Sequence, residues 1–154
     1  MKHHNWKIYA AWILLAEAVG GLSGWMTRDG AKAYSESIIQ PPLSPPALVF
    51  PIVWGILFAL MGIGAARIYL SRERTNSLRI FLLQLAFNFF WSILFFNLQA
   101  FGAALVWLLI LWGLILWMIV TFRKVEPLAA WMQIPYLLWV TFAAYLNYGV
   151  WILN

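Results

Sequence analysis

The sequence contains no charged residue between Ile80 and Phe122. A helix that spans the hydrocarbon core of a bilayer needs about 20 mostly apolar residues. This stretch is therefore too long for one span and long enough for two. Asn97, Gln99 and Gly102 interrupt its apolar character, and polar residues with a glycine favour a break between helices. The stretch predicts two consecutive membrane-spanning helices.

The composition extends this interpretation to the whole chain. Hydrophobic residues make up 64% of the 154 residues and charged residues 10%, against about half and about a quarter in soluble domains. A water-soluble fold of this length cannot hide so much apolar surface. We predict an all-α integral membrane protein, a bundle of five transmembrane helices in a single domain, residues 1–154. Helices are expected at about 6–27, 46–70, 77–97, 102–122 and 128–152, with an external loop at 28–45. The first segment exceeds the ~7–15-residue apolar core of a signal peptide, so we expect it to remain as a helix.

Basic residues are unevenly distributed between the two sides of this bundle. Only Arg28 and Lys32 lie in the first loop and its flanks. The other side carries eight basic residues: Lys2, Lys7, Arg67, Arg72, Arg74, Arg79, Arg123 and Lys124. Lysine and arginine concentrate on the cytoplasmic side of membrane proteins. We expect a cytoplasmic N-terminus and an external C-terminus, and we attribute the net charge of +5 to topology rather than to nucleic-acid binding.

Residue types exclude several kinds of chemistry. The chain has no cysteine, so disulfides and thiolate metal sites are impossible. Its two histidines, His3 and His4, lie at the N-terminus and are assigned no function, whether native or part of a tag. The predicted spans contain no cluster of histidine or acidic residues for a metal ion and no nucleophile–base pair. We expect no metal site and no tightly bound cofactor.

Three tryptophans inside predicted helices belong to rows of residues spaced three, four or seven apart. Such spacing places each row on one helix face. At ~1.5 Å per residue, the rows of the second, third and fifth helices reach the same depth in the outer half of the membrane. The rows are Trp54, Phe58 and Met61; Gln84, Asn88, Trp91 and Phe95; and Trp139, Phe142, Ala143 and Leu146.

Two interpretations of these rows remain open. Aromatic rows occur in ordinary helix packing, whereas an apolar cavity with a few polar groups is the usual form of a small-molecule site. Asn88 and Gln84 are either the polar groups of such a cavity or partners in a hydrogen bond between helices. The other tryptophans have simpler explanations. Trp6, Trp25, Trp131 and Trp151 fall in the aromatic belts, and Trp107, Trp112 and Trp117 are expected to face lipid or neighbouring helices.

Glu17 is the one charged residue deep inside a predicted span. An intramembrane carboxylate is a functional hypothesis by default. One helical turn away, Gly20, Gly21 and Gly24 form a small-residue face that lets another helix approach closely. Glu17 is therefore either a functional group or a buried, protonated or paired structural one.

Three stretches carry a resemblance to a known family. The first contains Pro45, Pro46, Phe50, Trp54, Gly55, Phe58, Met61 and Gly62. The second contains Gln84, Leu85, Ala86, Asn88, Trp91, Phe95 and Phe96. The third contains Pro135 to Trp139, Phe142, Ala143, Leu146, Asn147, Tyr148 and Trp151. With these motifs the chain resembles, over essentially its whole length, the TspO/MBR family, the tryptophan-rich sensory proteins related to the mitochondrial translocator protein (the peripheral benzodiazepine receptor).

The resemblance implies a five-helix bundle that binds porphyrins, notably protoporphyrin IX, as well as benzodiazepine and isoquinoline carboxamide ligands, and that commonly forms homodimers. It also implies a pocket among the helices beneath the first loop. Tyr34 matches an aromatic residue of the family's first loop and is expected to contribute to a lid. The pocket residues carried over by motif are Trp54, Phe58, Asn88, Trp91, Trp139, Phe142, Ala143 and Leu146.

The sequence departs from the family at two places. Leu43 and Leu48 stand where the family often has tryptophan on either side of the proline pair, which implies weaker loop contacts to a ligand. The cholesterol motif of animal members requires a basic residue after its Leu-x-Tyr element, and none follows Leu146 and Tyr148 here. Such motifs are weak indicators even when complete, and this one's absence argues against dedicated cholesterol handling.

Four functions follow as hypotheses. The leading one is porphyrin binding for sensing, transport or regulation of tetrapyrroles, with free-base protoporphyrin preferred over haem because the spans offer no imidazole or thiolate. The porphyrin carboxylates are expected near the outer surface, where Arg28 and Lys32 are the only cations. The second is an enzyme that degrades protoporphyrin IX in light, with Trp54 or Trp139 carrying the oxidation. The third is a proton-coupled exporter that uses Glu17, and the fourth is a purely structural membrane protein.

Overall fold

A computed structural model of the chain describes residues 5–154, which are mostly helical with no β-strand among them. Lys2, His3 and His4, which entered the predictions above, lie outside the described residues. Five stretches are long and apolar enough to cross a membrane, which confirms the predicted fold class. The helices are α1 (Asn5–Met26), α2 (Arg28–Ser37), α3 (Val49–Tyr69), α4 (Thr75–Ser92), α5 (Phe101–Val125), α6 (Pro127–Trp131) and α7 (Ile134–Leu153), and a π-helical turn (Ile93–Asn97) continues α4.

The chain alternates between the two ends of the bundle. One end, called the α2 end, carries α2, the segment before α3, the π-helical turn and the end of α7. The opposite end, called the basic end, carries the start of α1 and the connections from α3 to α4 and from α5 to α6. At the basic end, Nη2 of Arg67 lies 3.1 Å from Oε1 of Glu126. This ion pair joins the last turn of α3 to the start of α6.

Glycines allow close contact between α1 and α3, whose backbones run along one another over most of their length. Gly62 of α3 lies against the backbone of Ile13, and the ring of Phe58 covers Gly20 of α1. A side chain at either glycine would occupy the space of its neighbour. Small residues let helices pack tightly where lipid gives no hydrophobic driving force between them.

The first connection, predicted from the sequence as an external loop over residues 28–45, contains a helix. Its first part forms α2, and α3 begins at Val49 rather than Pro46, after a turn in which Val49 N–H donates to the carbonyl of Pro46 at 3.0 Å. The α2 segment lacks proline and contains good helix formers such as alanine and lysine. Gly30 lets α2 approach the carbonyl of Phe96 in the π-helical turn, so tertiary contact stabilises a helix too short to be stable alone.

The fifth span is also not the continuous helix predicted over 128–152. It divides into α6 and α7 at Met132 and Gln133. Pro135 has no N–H to donate to the carbonyl of Trp131, and its ring crowds that position. The Gln133 side chain donates from Nε2 to the carbonyl of Leu60 in α3 at 3.0 Å. Gly64 provides the space for this amide, so the break is fastened to α3.

Candidate ligand-binding cavity

A cavity of about 530 Å³ lies at the α2 end, enclosed by α1, α2, α3, the α4–π segment and α7. The α3 backbone approaches the fifth span mainly at α6. Towards the α2 end, α3 and α7 meet through aromatic side chains, and the cavity lies between them. Its volume falls within the ~300–1,000 Å³ of typical small-molecule sites.

Eight of the nine residues proposed from the sequence line this one cavity. They are Tyr34, Trp54, Phe58, Asn88, Trp91, Trp139, Ala143 and Leu146. Phe142 does not line it, because α7 turns residues 139, 143 and 146 toward the cavity and carries Phe142 on the flank. There its ring packs on Trp139 at 5.7 Å and on Tyr145 at 6.2 Å between centroids. Met61 and Gln84, also members of the aromatic rows, are fully buried outside the cavity lining.

Aromatic rings from α3 and α7 form one wall. The rings of Trp54 and Trp139 are perpendicular, at 88°, with centroids 6.5 Å apart. Phe58 packs on Trp54 at 5.6 Å, and Phe50 packs edge-on to Trp139 at 5.9 Å. The indole N–H of Trp139 is buried without a hydrogen-bond partner among the described residues. Edge-to-face aromatic pairs are mutually favourable, so this wall is ordered before any ligand arrives.

The opposite wall is held by an asparagine. The indole N–H of Trp91 donates to Oδ1 of Asn147 at 3.1 Å, and Nδ2 of Asn147 donates to the carbonyl of Phe101 at 2.8 Å. Both ends of the amide are thus paired. The Trp91 ring stacks on Phe95 with centroids 5.1 Å apart. Because the indole nitrogen and the ring face are both engaged, Trp91 presents a fixed surface to the cavity.

A hydrogen-bonded network lies at the floor of the cavity. Nδ2 of Asn88 donates to the Tyr136 hydroxyl at 2.7 Å, and that hydroxyl donates to Oε1 of Gln84 at 2.7 Å. Both alternatives raised for the two amides therefore apply in part. Gln84 bonds between helices and lies away from the cavity, whereas Asn88 bonds between helices and also lines the cavity.

The cavity has a lid and a roof at the α2 end. Tyr34 of α2 is the lid, packed on Phe95 at 5.3 Å and edge-on to Phe96 at 5.4 Å. Burial raises the pKa of the Tyr34 phenol, so the lid is uncharged at neutral pH. Residues 38–48 form the roof segment, in which Gln40, Pro45 and Ala47 line the cavity.

The roof segment is attached to α7. The Tyr145 hydroxyl donates to the carbonyl of Pro42 at 2.8 Å. The Asn154 side chain accepts from the N–H of Ile39 at 3.1 Å and donates to its carbonyl at 2.8 Å. Pro41 packs directly over Gly149. The exposed Leu43, at a position where the family often has tryptophan, adopts a left-handed backbone with φ of 69°.

The charges around the cavity differ from the sequence expectation. Arg28 and Lys32 were the expected partners for ligand carboxylates, but neither lines the cavity. Arg28 donates to the carbonyl of Trp25 at 2.6 Å and lies 4.5 Å from the Trp25 ring centroid. Glu17 does line the cavity, and no lysine, arginine or histidine of residues 5–154 lines it.

Sequence reasoning missed other lining residues, of which two were recoverable. Phe50 lies four residues before Trp54, and Asn147 lies four residues after Ala143, so each extends an identified row by one helical turn. The roof residues Gln40, Pro45 and Ala47 gave no such signal, because an irregular segment has no periodicity. No group of three or more metal-ligating side chains occurs within residues 5–154.

Comparisons with known proteins cover nearly the whole chain. The sequence profile of the TspO/MBR family matches residues 12–152. The tryptophan-rich protein TspO of Chlorobaculum tepidum is 36% identical over 144 residues, which cover 91% of both chains. The translocator protein of Bos taurus is 34% identical over 95% of this chain and 89% of its own length. The tryptophan-rich sensory protein of Cereibacter sphaeroides is 26% identical over 97% of this chain and 93% of its own.

Proposed function

Because the chain belongs to the TspO/MBR family, we propose that it binds a tetrapyrrole, with protoporphyrin IX as the reference ligand, in the cavity beneath α2. Binding would serve sensing, transport or regulation of tetrapyrroles. Benzodiazepine and isoquinoline-type ligands, which are also flat and aromatic, are proposed to compete for the same cavity. The observation that carries the proposal is the convergence of eight motif residues from four helices on one aromatic-walled cavity.

The shape and chemistry of the walls favour a flat aromatic ligand. Trp91 offers a ring fixed at both its nitrogen and its face, and the Trp54–Trp139 pair offers a second ordered aromatic surface. A macrocycle placed between these walls replaces contact with lipid or water by contact with rings. Asn88 at the floor is the polar group that orients it, since it is the amide of the floor network that lines the cavity.

The lining favours a metal-free macrocycle. Among the described residues that line the cavity there is no histidine, cysteine or methionine, the side chains that most often hold haem iron. The one tyrosine, Tyr34, is a neutral phenol, because burial raises its pKa, and not the phenolate that iron binds. A free-base porphyrin requires no axial ligand, so its binding does not depend on one in this cavity. We therefore propose that free-base protoporphyrin binds more tightly than haem.

Titration of the detergent-solubilised protein tests the proposal. Protoporphyrin IX is added to the wild type and to Trp139→Phe in the dark while tryptophan fluorescence is recorded. Saturable quenching that Trp139→Phe weakens supports a binding function at this cavity. An absence of saturation below about millimolar concentration contradicts it and favours a structural role.

A second candidate is light-dependent degradation of protoporphyrin IX. The specific observation in its favour is the Trp54–Trp139 pair, whose ring centroids are 6.5 Å apart and in which the indole N–H of Trp139 has no hydrogen-bond partner among residues 5–154. Dioxygen would be the oxidant, and one of the two indoles would carry the oxidation beside the macrocycle. Illumination of the same samples distinguishes the candidates. A new absorbing product formed by the wild type and absent from Trp54→Phe and Trp139→Phe favours the enzyme, and equal loss of porphyrin in all three indicates ordinary photobleaching.

We also propose that the basic end faces the cytoplasm, which places the C-terminus outside. Apart from Arg28 and Lys32 at the α2 end, the basic residues used for the orientation prediction lie at this end wherever the structure describes them. Because the chain lacks cysteine, single cysteines at Ser71 and Ser44 give a direct test in intact cells. Labelling of Ser44→Cys alone by an impermeant maleimide supports the orientation, and labelling of Ser71→Cys alone reverses it.

Homodimer formation is proposed from family membership. The lipid bilayer is the proposed surrounding solvent, and cholesterol is not proposed as a dedicated ligand. Crosslinking in the native membrane at low protein-to-lipid ratio tests the oligomeric state.

A further inference from the structure

Glu17 lies on the cavity side of α1. It occupies one helix face with Gly20, Gly21 and Gly24, and all four residues line the cavity. Because these glycines have no side chains, nothing on α1 covers the carboxylate toward the α2 end. Glu17 is half-buried, consistent with a side chain that faces an open cavity rather than a packed helix contact.

Glu17 stands at the depth of the floor network. It lies nine residues before the end of α1, and Asn88 lies nine residues before the end of the π-helical turn. At ~1.5 Å per residue, both are about 13 Å from the α2 end. Both side chains line the same cavity, so a ligand that fills it to the depth of Asn88 also reaches the depth of Glu17.

Within residues 5–154, the Glu17 carboxylate has no partner of opposite charge and makes no side-chain hydrogen bond. The one ion pair of this part of the chain joins Arg67 and Glu126 at the basic end. Tyr34 is the other titratable side chain in the described lining, and it is neutral at physiological pH. The described lining thus holds one acidic group and no basic one, within apolar walls where electrostatic interactions are stronger than in water.

Asn88 reinforces the same preference. Its Nδ2 is engaged by the Tyr136 hydroxyl, and Tyr136 is committed to Gln84. Oδ1 of Asn88 accepts no hydrogen bond from the described residues, so it can accept one from a ligand, while Nδ2 keeps a second N–H beyond its bond to Tyr136. An acidic group and an amide acceptor at one depth complement a donor or a cation on the ligand, and the acidic group opposes a carboxylate.

From this arrangement we infer that Glu17 is a charge-selecting residue: the cavity favours flat aromatic ligands that carry a protonated nitrogen, and it turns ligand carboxylates away from α1. The inference rests on the proposed function, because it specifies the ligand class of the same cavity. In a tetrapyrrole with two carboxylates, those groups are directed toward the α2 end. A tetrapyrrole or drug-like molecule with an amine side chain places that amine beside Glu17.

Three probes with one macrocycle and different charges test this inference. They are protoporphyrin IX with two carboxylates, its neutral dimethyl ester, and its bis-amide with dimethylaminoethyl groups, which carries two cations. Each is titrated into wild type, Glu17→Gln and Glu17→Asp in nanodiscs of zwitterionic lipid. Glu36→Gln is the matched control, since Glu36 is exposed on α2 and does not line the cavity.

The expected result is a change of opposite sign for the two charged probes. Glu17→Gln should weaken binding of the amine probe about tenfold, strengthen binding of the diacid, and leave the neutral ester within about twofold. Glu17→Asp should retain the wild-type order because the charge remains, and Glu36→Gln should change none of the three affinities.

Other outcomes overturn the inference and separate it from the proposed function. If Glu17→Gln shifts all three probes equally or none of them, the carboxylate does not select charge, while tetrapyrrole binding stands. If Glu36→Gln reproduces the effect, the selection arises from overall charge and not from the cavity. If the wild type binds none of the probes, both the tetrapyrrole function and the charge selection are wrong.

Discussion

The Tyr136 hydroxyl donates a hydrogen bond of 2.7 Å to the side chain of Gln84, across 52 positions of sequence and from the fifth span to the third. Both side chains are almost completely buried, Tyr136 at 1% exposure and Gln84 at 0%. Buried polar groups are costly when unpaired. The same hydroxyl accepts from Asn88, which lines the cavity. The packing of the two helices therefore determines where the Asn88 amide lies.

Replacement of Tyr136 by phenylalanine should destabilise the bundle and loosen the cavity floor. The change leaves Gln84 and Asn88 each without a partner, and an unpaired buried group costs about 1–3 kcal/mol. We expect a lower midpoint of thermal unfolding in detergent together with weaker porphyrin binding. Tyr148→Phe is the matched control, because Tyr148 is 49% exposed. Equal midpoints for the two variants would show that the network contributes nothing to stability.

Trp54→Phe and Trp139→Phe should each weaken porphyrin binding in the dark by roughly threefold to tenfold. The estimate follows from the loss of one aromatic pair, worth about 0.5–1.5 kcal/mol. Fluorescence quenching or equilibrium dialysis gives the affinities. Trp117→Phe serves as the control, since Trp117 is 56% exposed on α5 and lies outside the lining. A comparable loss in Trp117→Phe would move the site away from this cavity.

Free-base protoporphyrin IX should bind more tightly than haem. The described lining has aromatic rings, amides and the neutral phenol of Tyr34 but no imidazole, thiolate or thioether, so it offers iron no strong axial ligand. Parallel quenching titrations with both compounds measure the order. Tighter binding of haem, together with the absorption spectrum of a six-coordinate iron, would place the macrocycle in contact with residues outside this lining.

Alkaline pH should release the lid. Burial raises the pKa of the Tyr34 phenol above its ordinary value of about 10, so the folded state favours the neutral phenol. The stability from lid closure is fully present below pH about 10 and falls as the pH rises toward the pKa of the closed lid. Ligand dissociation, followed by stopped-flow fluorescence, should accelerate above pH about 10 in the wild type and not in Tyr34→Phe. Identical pH profiles for the two proteins would exclude Tyr34 as the titrating group.

Much of the fold was predictable because the bilayer imposes simple requirements. A charge-free run twice the length of a span must cross twice, and helical periodicity placed Trp54, Asn88 and Trp139 on faces that meet in one cavity. The local irregularities needed tertiary information or closer attention to proline. The break before α7 follows from the missing N–H of Pro135, and its location could have been predicted from the sequence. The α2 helix could not be predicted in this way, because contact with the π-helical turn stabilises it.

The cavity itself was predicted less completely than its rows of aromatic residues. Phe142 has the same helical spacing as the lining residues of α7, but spacing alone does not show which residues of a helix face point into the cavity. The sequence left both a structural and a functional interpretation of Glu17 open, because it does not reveal that Gly21 and Gly24 beside it border open space. Arg28 was expected near the ligand, and its contact with Trp25 keeps it on the bundle's exterior.

The attachment of the roof segment to α7 has a kinetic consequence. Tyr145 and Asn154 hold residues 39–42 through three hydrogen bonds, with partner atoms 2.8–3.1 Å apart, yet neither side chain lines the cavity. If a ligand leaves through the roof, these bonds must first break, and at ~1 kcal/mol each they slow its departure by about a hundredfold. How long a bound molecule stays is then decided by residues that it never touches. Variation at Tyr145 or Asn154 can convert a slow-release receptor into a fast-exchanging carrier while the cavity keeps the same walls.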